Sequence, residues 1–217
     1  MKKFSEIKLR KFLPSKTIKV TATIVIIIVT MTSAFNDNNN YNRIDDKKLT
    51  SVNKDSIQSV EAFKKVYQVL MSPRCMNCHP SGDIPLQGDD SHLHTMSPKR
   101  GKDGKGLYAM KCANCHQPDN TPGLHTPPGN PNWHLPPASM KMIFQGRTAS
   151  QLAKQLMDPK QNGNKNKAKL IAHADDDLVL AGWNPGEGRT LPPLSHAEFK
   201  KAWITWITKG AYAPKGK

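Results

Sequence analysis

The chain has 217 residues, a formal net charge of +15 and a hydrophobic content of 37%, of which little is aromatic. This is a small supply of apolar side chains for a large core, and 14 glycines and 17 prolines favour long irregular stretches. No Lys/Arg-rich block with interleaved aromatic residues follows residue 35, so the composition excludes a nucleic-acid-binding protein.

Residues 1–34 are predicted to direct export, either as a cleaved signal peptide or as an uncleaved N-terminal membrane anchor. Residues 1–19 carry seven Lys/Arg and one acid, an uncharged run covers 20–35, and Thr32-Ser33-Ala34 suits cleavage. The apolar run is short for a membrane span, which needs about 20 residues. Both alternatives predict a periplasmic chain, tethered to the inner membrane in the second case. Without residues 1–34 the chain keeps 25 basic and 16 acidic residues, a net charge of +9.

Residues 35–58 are polar and rich in asparagine, which predicts a disordered linker, and a folded domain is predicted over 59–214. A first helix is predicted from Ser59 to just before Pro73 because apolar residues recur there at helical spacing. Residues 80–106 are rich in turn-forming glycines, and a short helix is predicted to start at Leu107.

The second half of the domain begins with an extended loop over 117–137, which holds seven prolines. Four further helices are predicted, over 139–144, 148–158, 165–174 and 195–209. The second and fourth of these start with capping boxes. No alternating strand pattern is present, so the predicted fold class is mostly α with long irregular loops.

All four cysteines of the chain lie in two Cys-x-x-Cys-His motifs, which is the attachment sequence for c-type haem. Two thiols three residues apart can bond one porphyrin, and the adjacent histidine can bind its iron. The motifs predict covalent haem on Cys75, Cys78, Cys112 and Cys115, with His79 and His116 as the proximal iron ligands.

Three other interpretations of the cysteines compete with haem. A structural zinc site normally has its two Cys pairs 15–20 residues apart, and zinc does not explain the histidine that follows each pair. Two short disulfides and a redox-active Cys-x-x-Cys pair are the others, but the sequence has no βαβ setting for the latter. The motifs start 37 residues apart, too close for two tandem cytochrome domains, so one compact dihaem unit is predicted.

The distal ligand of each iron is usually His or Met and helps to set its potential. His94 lies in a short loop between the motifs that can fold over either haem, and His173 lies in an apolar stretch that would bury its ring. We predict these two as distal ligands, with His92, His134 and Met140 as the alternatives.

Three stretches outside the motifs resemble a family of small dihaem cytochromes labelled isoquinoline 1-oxidoreductase subunits. They are residues 86–94 (LQGDDSHLH), 128–137 (PGNPNWHLPP) and 178–189 (LVLAGWNPGEGR), within a resemblance that covers about 60–212. The resemblance implies a compact dihaem cytochrome c-like domain whose partner is a molybdenum hydroxylase. The Cys-Pro ending of that family is missing here, where the chain closes with residues 210–214 (GAYAP).

The leading functional prediction is an electron carrier, or an electron-transfer subunit of an oxidoreductase, that passes electrons from a dehydrogenase or hydroxylase toward the respiratory chain. The alternative is a dihaem peroxidase-like enzyme with one open iron site. A haem-based sensor or structural subunit ranks last, because the sequence shows no attached output domain.

Overall fold

The structure is a computed structural model that describes residues 48–216. The chain divides into two units, residues 1–52 and 53–217, and the segment predicted as signal peptide or anchor lies outside the described residues. Of the described residues, 39% are helical and 5% lie in strands, so the predicted mostly α fold with long loops is confirmed. Within that part of the chain, no helix has the length and apolar character needed to cross a membrane.

Six α-helices and four two-residue strands form the described part of the chain. The helices are α1 (48–70), α2 (Pro73–Met76), α3 (Ala149–Met157), α4 (Lys167–His173), α5 (Asp177–Leu180) and α6 (His196–Thr208). The strands form two antiparallel hairpins, β1 (Leu86–Gln87) with β2 (His92–Leu93), and β3 (Gly106–Leu107) with β4 (Met110–Lys111).

The core is built by α1, α3, α4 and α6, whose apolar faces meet in a single cluster. Phe63 of α1 lies 4.6 Å from Trp206 of α6 between ring centroids, and Leu152 of α3 is fully buried. Trp203 donates its indole N–H to the carbonyl of Leu170 at 2.7 Å, so its polar atom is satisfied. Each large side chain buried in this way contributes about 2–3 kcal/mol.

Both predicted capping boxes are present in the structure. The Thr148 hydroxyl accepts a hydrogen bond from the amide of Gln151, and the Ser195 hydroxyl accepts one from the amide of Glu198. The glutamine and glutamate side chains each accept a hydrogen bond from the amide of the capping residue. These pairs satisfy amides that a helix start leaves without a partner, which is why α3 and α6 begin where the sequence predicts.

The predicted disordered linker over 35–58 is wrong for its last eleven residues, because residues 48–58 belong to α1. Asp55 forms an ion pair with Lys209 at 2.8 Å. The buried Ser59 hydroxyl donates to the carbonyl of Trp206 and accepts from the amide of Tyr212. These tertiary contacts hold α1 at Asp55 and at Ser59, while residues 35–47 lie outside the described residues.

The helix predicted over 139–144 is absent, and the helix predicted to start at Leu107 is replaced by the β3–β4 hairpin followed by a 3-10 turn, Cys112–Asn114. Gly106 takes a φ of 86° and Tyr108 a φ of 50°, values that a helix does not allow. In the first segment, Met142 has a φ of 47° and the amide of Phe144 donates to the carbonyl of His79.

Candidate functional site

The first Cys-x-x-Cys-His motif starts on the short helix α2, which Pro73 begins. The chain continues as helical turns, with the amide of Cys78 donating to the carbonyl of Cys75 and the amide of His79 donating to that of Met76. Residues three apart in such turns lie on one face. The motif therefore presents its two thiols side by side and its histidine one residue further on.

His79 is held by contacts on two sides of its ring. Its Nδ1 lies 2.6 Å from the carbonyl oxygen of Met142, and its ring stacks on Phe144 with centroids 3.8 Å apart and planes at 10°. Because a carbonyl only accepts, Nδ1 is the protonated nitrogen and Nε2 keeps its lone pair. Burial lowers the pKa of His79 to about 4, so the ring is a neutral imidazole near pH 7.

The histidine of the second motif has the same kinds of contact as His79, although different elements supply them. The 3-10 turn Cys112–Asn114 leads to His116, whose Nδ1 lies 2.7 Å from the carbonyl oxygen of Pro128. Its ring stacks on Trp133 with centroids 4.1 Å apart and planes at 7°, and burial lowers its pKa. A histidine that binds a metal usually donates its other N–H to a carbonyl or carboxylate in this way.

The four cysteines are free thiols. Burial raises the pKa of Cys75 to about 12 and that of Cys78 to about 11, because a thiolate is disfavoured away from water. Cys112, from the other motif, is close enough that its charge adds to the shift of Cys78. The two motifs are therefore neighbours in space. Within the described residues, no group of three or more Cys, His, Asp or Glu side chains is arranged to hold a metal ion.

One cavity of about 440 Å³ lies between the motifs, and we call it the central cavity. Its lining includes Cys78 of the first motif and Cys112, Cys115 and His116 of the second. Apolar side chains form much of the remaining wall, among them Leu86, Leu135 and Leu178. An apolar cavity with thiols and a neutral imidazole in its wall fits a covalently attached porphyrin.

His94, a predicted distal ligand, lines the central cavity together with His116. The two ring centroids are 6.3 Å apart, with planes at 66°. Two imidazoles on opposite sides of one metal have centres about 6 Å apart, since each bond is about 2 Å and each centre lies about 1 Å behind its nitrogen. Nδ1 of His94 lies 2.6 Å from the carbonyl oxygen of Thr95, which leaves Nε2 with its lone pair.

His173, the other predicted distal ligand, is the last residue of α4. Its charge is one of the smaller causes that lower the pKa of His79, after burial. Nδ1 of His173 is hydrogen-bonded to a carboxylate oxygen of Asp176, the kind of partner that orients a metal-binding histidine. The prediction that the apolar stretch would bury this ring is wrong, because its side chain is 40% exposed.

The three alternative ligands lie elsewhere. Nδ1 of His92 lies 2.6 Å from a carboxylate oxygen of Asp90, and this side chain is 48% exposed. His134 is hydrogen-bonded through Nδ1 to the carbonyl of Asn132. Neither these two histidines nor Met140 belong to the lining of the central cavity, which instead includes His94, Met96 and His125.

Two buried arginines beside the motifs were missed at the level of sequence. Arg74 lines the central cavity and donates to the carbonyl of Gly88 and to the carboxylate of Asp89. Its Nε is buried and has no hydrogen-bond partner among the described residues, which suits an added carboxylate such as a porphyrin propionate. Arg100 is 1% exposed and donates to the carbonyls of Gly82 and Pro136. The sequence offers a signal for Arg74 alone, which is its position directly before Cys75, and none for Arg100.

The stacking partners Phe144 and Trp133 were also missed as site residues, because nothing in their spacing links them to the motifs. Arg189, in the loop after α5, donates to the carbonyls of Pro185, His125 and Thr126. It thereby joins two loops that border the central cavity.

Residues 101–197 match the family model of cytochrome c. This range includes the second motif, His134, Met140 and His173, whereas the first motif precedes it. No curated protein and no solved structure matches the chain. The family match and the geometry of the motifs together support a c-type cytochrome, an electron-transfer protein with covalently bound haem c.

Proposed function

We propose that the chain carries two haem c groups and relays single electrons between partner proteins. The observation that carries this proposal is the repeated geometry of His79 and His116. Each donates Nδ1–H to a backbone carbonyl, stacks on an aromatic ring and keeps Nε2 for a metal. A single haem would account for only one histidine of this kind. His79 of the first motif has the same three features as His116 of the second, which supports two haems.

Cys75 and Cys78 would hold one haem and Cys112 and Cys115 the other. When bound, each haem supplies one-electron redox chemistry. The chain itself binds and orients the rings, excludes water with the apolar wall of the central cavity, and keeps both proximal histidines neutral. No proton has to move at these histidines for an electron to pass, which suits rapid transfer.

His94 and His173 are the distal ligands in this proposal. The support for His94 is the 6.3 Å between its ring centroid and that of His116, and the support for His173 is the hydrogen bond of its Nδ1 to Asp176, which leaves Nε2 for a metal. Two axial histidines saturate an iron, so both sites would be closed to peroxide and to small gases. That arrangement favours electron transfer over the peroxidase-like alternative, which requires one open iron.

The compartment and the partner are proposed from the sequence. The basic leader followed by an apolar run favours export to the periplasm, with a cleaved signal peptide or an inner-membrane anchor. The resemblance over residues 86–94, 128–137 and 178–189 favours a molybdenum hydroxylase as the electron donor. The respiratory chain would then accept the electrons.

Expression with a cytochrome c maturation system tests the proposal. We expect the purified chain to gain the mass of two haems, and a Cys112→Ala/Cys115→Ala variant to gain the mass of one. Oxidised and reduced spectra should be low-spin and unchanged by carbon monoxide. A chain without added mass would refute the haem assignment, and a high-spin component that binds peroxide would favour the enzyme.

A further inference from the structure

The two motifs differ in how exposed their residues are to solvent. Around the first motif, residues 73–79 are all half-buried, and Cys75 packs against the hydrophobic core. In the second motif, Ala113, Asn114 and Cys115 are exposed. A protein that approaches this chain can therefore come closer to the second motif than to the first.

The aromatic stacks show the same difference. Phe144, which stacks on His79, is 5% exposed and belongs to the core, so that stack ends inside the protein. Trp133, which stacks on His116, is half-buried and lines a second pocket of about 370 Å³ as well as the central cavity. We call this second pocket the outer pocket. Trp133 and His116 form the wall between it and the central cavity.

The outer pocket is bordered by positive charge. Lys105 and Lys111 line it, with Asp103 as the one acidic residue in its lining. The exposed lysines of the chain from Arg100 to Lys111 are Lys102, Lys105 and Lys111, whereas Arg100 is buried and pairs with Asp83. Lys102 and Lys105 are exposed and able to meet a partner. Like charges on one face attract a partner of opposite charge and raise its association rate.

We propose that the outer pocket is the docking site of an acidic redox protein, and that electrons enter or leave the chain there through the second motif. This inference rests on the proposed electron-transfer function. His116 would hold the haem that supplies the one-electron chemistry at this site, and no bond or proton would change place. The first motif would be reached through the second, because Cys75 packs against the core and Phe144 lies within it.

The test uses the holoprotein and a reduced plant-type ferredoxin, a small acidic one-electron donor, as probe. The variant is Lys102→Glu/Lys105→Glu, which leaves Lys111 in place because that residue also lines the central cavity. The matched control is Lys154→Glu/Lys201→Glu, which changes the net charge equally on exposed positions of α3 and α6. Stopped-flow absorbance gives the second-order rate constant for haem reduction.

At an ionic strength of about 10 mM we expect the rate constant of the variant to fall about tenfold, and that of the control about twofold or less. The difference between the rate constants of the variant and the control should disappear at about 0.5 M salt. In a parallel NMR titration with oxidised ferredoxin, the indole N–H signal of Trp133 should shift in wild-type protein and in the control, but not in the variant.

Equal losses in both proteins, with no shift of the Trp133 signal, would overturn the docking site and leave the electron-transfer function standing. A chain that accepts no electron, but whose Trp133 signal still shifts, would overturn the proposed function and support the docking site. The NMR signal reports binding whether or not the haem is reduced, so the two failures are distinguishable.

Discussion

If the chain carries two haems as proposed, replacement of His94 by alanine should open one of the two iron sites. The ring of His94 lies 6.3 Å from that of His116, a separation that suits one metal between them. Removal of the ring would take away a nitrogen proposed to bind that iron, and it would leave a space the size of an imidazole in the central cavity. Carbon monoxide binds a ferrous haem that has an open position.

The expected result is the number of carbon monoxide molecules that each chain binds. Wild-type protein should bind almost no carbon monoxide, and His94→Ala about one molecule per chain, because only the iron opposite His116 loses a ligand. His173→Ala should also bind about one molecule, at the iron of His79, and the double variant about two. The remaining site in each single variant should keep its low-spin spectrum.

Carbon monoxide titration of the dithionite-reduced protein, followed in the Soret band, measures these values. His92→Ala is the matched control, since His92 lies two residues away and pairs with Asp90 outside the central cavity. If His94→Ala binds no carbon monoxide while His92→Ala does, the geometric assignment is wrong. The same holds if both single variants open the same site.

Three further predictions concern stability, measured by denaturant unfolding of the holoprotein. Gly104→Ala should cost about 2–4 kcal/mol because its Cβ would meet the carbonyl oxygen of Leu135 in a left-handed backbone, whereas Gly82→Ala, with open space around it, should cost under about 1 kcal/mol. Leu152→Ala should cost about 3 kcal/mol, since that side chain is fully buried, and leave the haem spectrum unchanged. Asp83 has a lowered pKa, chiefly through its hydrogen bond from Lys141, so Asp83→Asn should destabilise the protein at pH 7. The difference should shrink as the pH falls below about 3.8 and vanish once the pH is below the lowered pKa of Asp83. Equal losses of stability at both glycines would contradict the first expectation. A changed haem spectrum in Leu152→Ala would contradict the second, and a stability difference for Asp83→Asn that does not depend on pH would contradict the third.

Local signals in the sequence were sufficient for several elements. The capping boxes at Thr148 and Ser195 and the apolar spacing in α6 predict helices that the structure contains, because the groups that stabilise them lie within one helical turn. The haem-attachment motifs could also be predicted from a local signal, because the spacing Cys-x-x-Cys-His is by itself the attachment sequence for c-type haem.

The helix predicted over 139–144 failed because its backbone bonds to the first motif instead. The carbonyl of Met142 accepts from His79, and the amides of Phe144 and Gln145 donate to the carbonyl of His79. These partners lie more than 60 residues away along the chain. No local pattern reveals that this backbone is already engaged, and tertiary contacts override helix propensity here.

That His94 and His173 are distal ligands stays a prediction. His94 lies in the loop between the motifs, and its ring centroid is 6.3 Å from that of His116. His173 has apolar neighbours in the sequence, yet its side chain is 40% exposed and is hydrogen-bonded to Asp176. Burial depends on the packing of distant elements, which apolar neighbours along the chain do not reveal.

The burial of the first motif also bears on how the protein is assembled. Cys75 packs against the same core that α1, α3, α4 and α6 build, so the first motif and the core are packed together. If the chain carries two haems as proposed, we expect the haem of the first motif to be attached before this core is fully packed. Biogenesis would then have an obligatory order, in which the cofactor is present before the protein becomes compact.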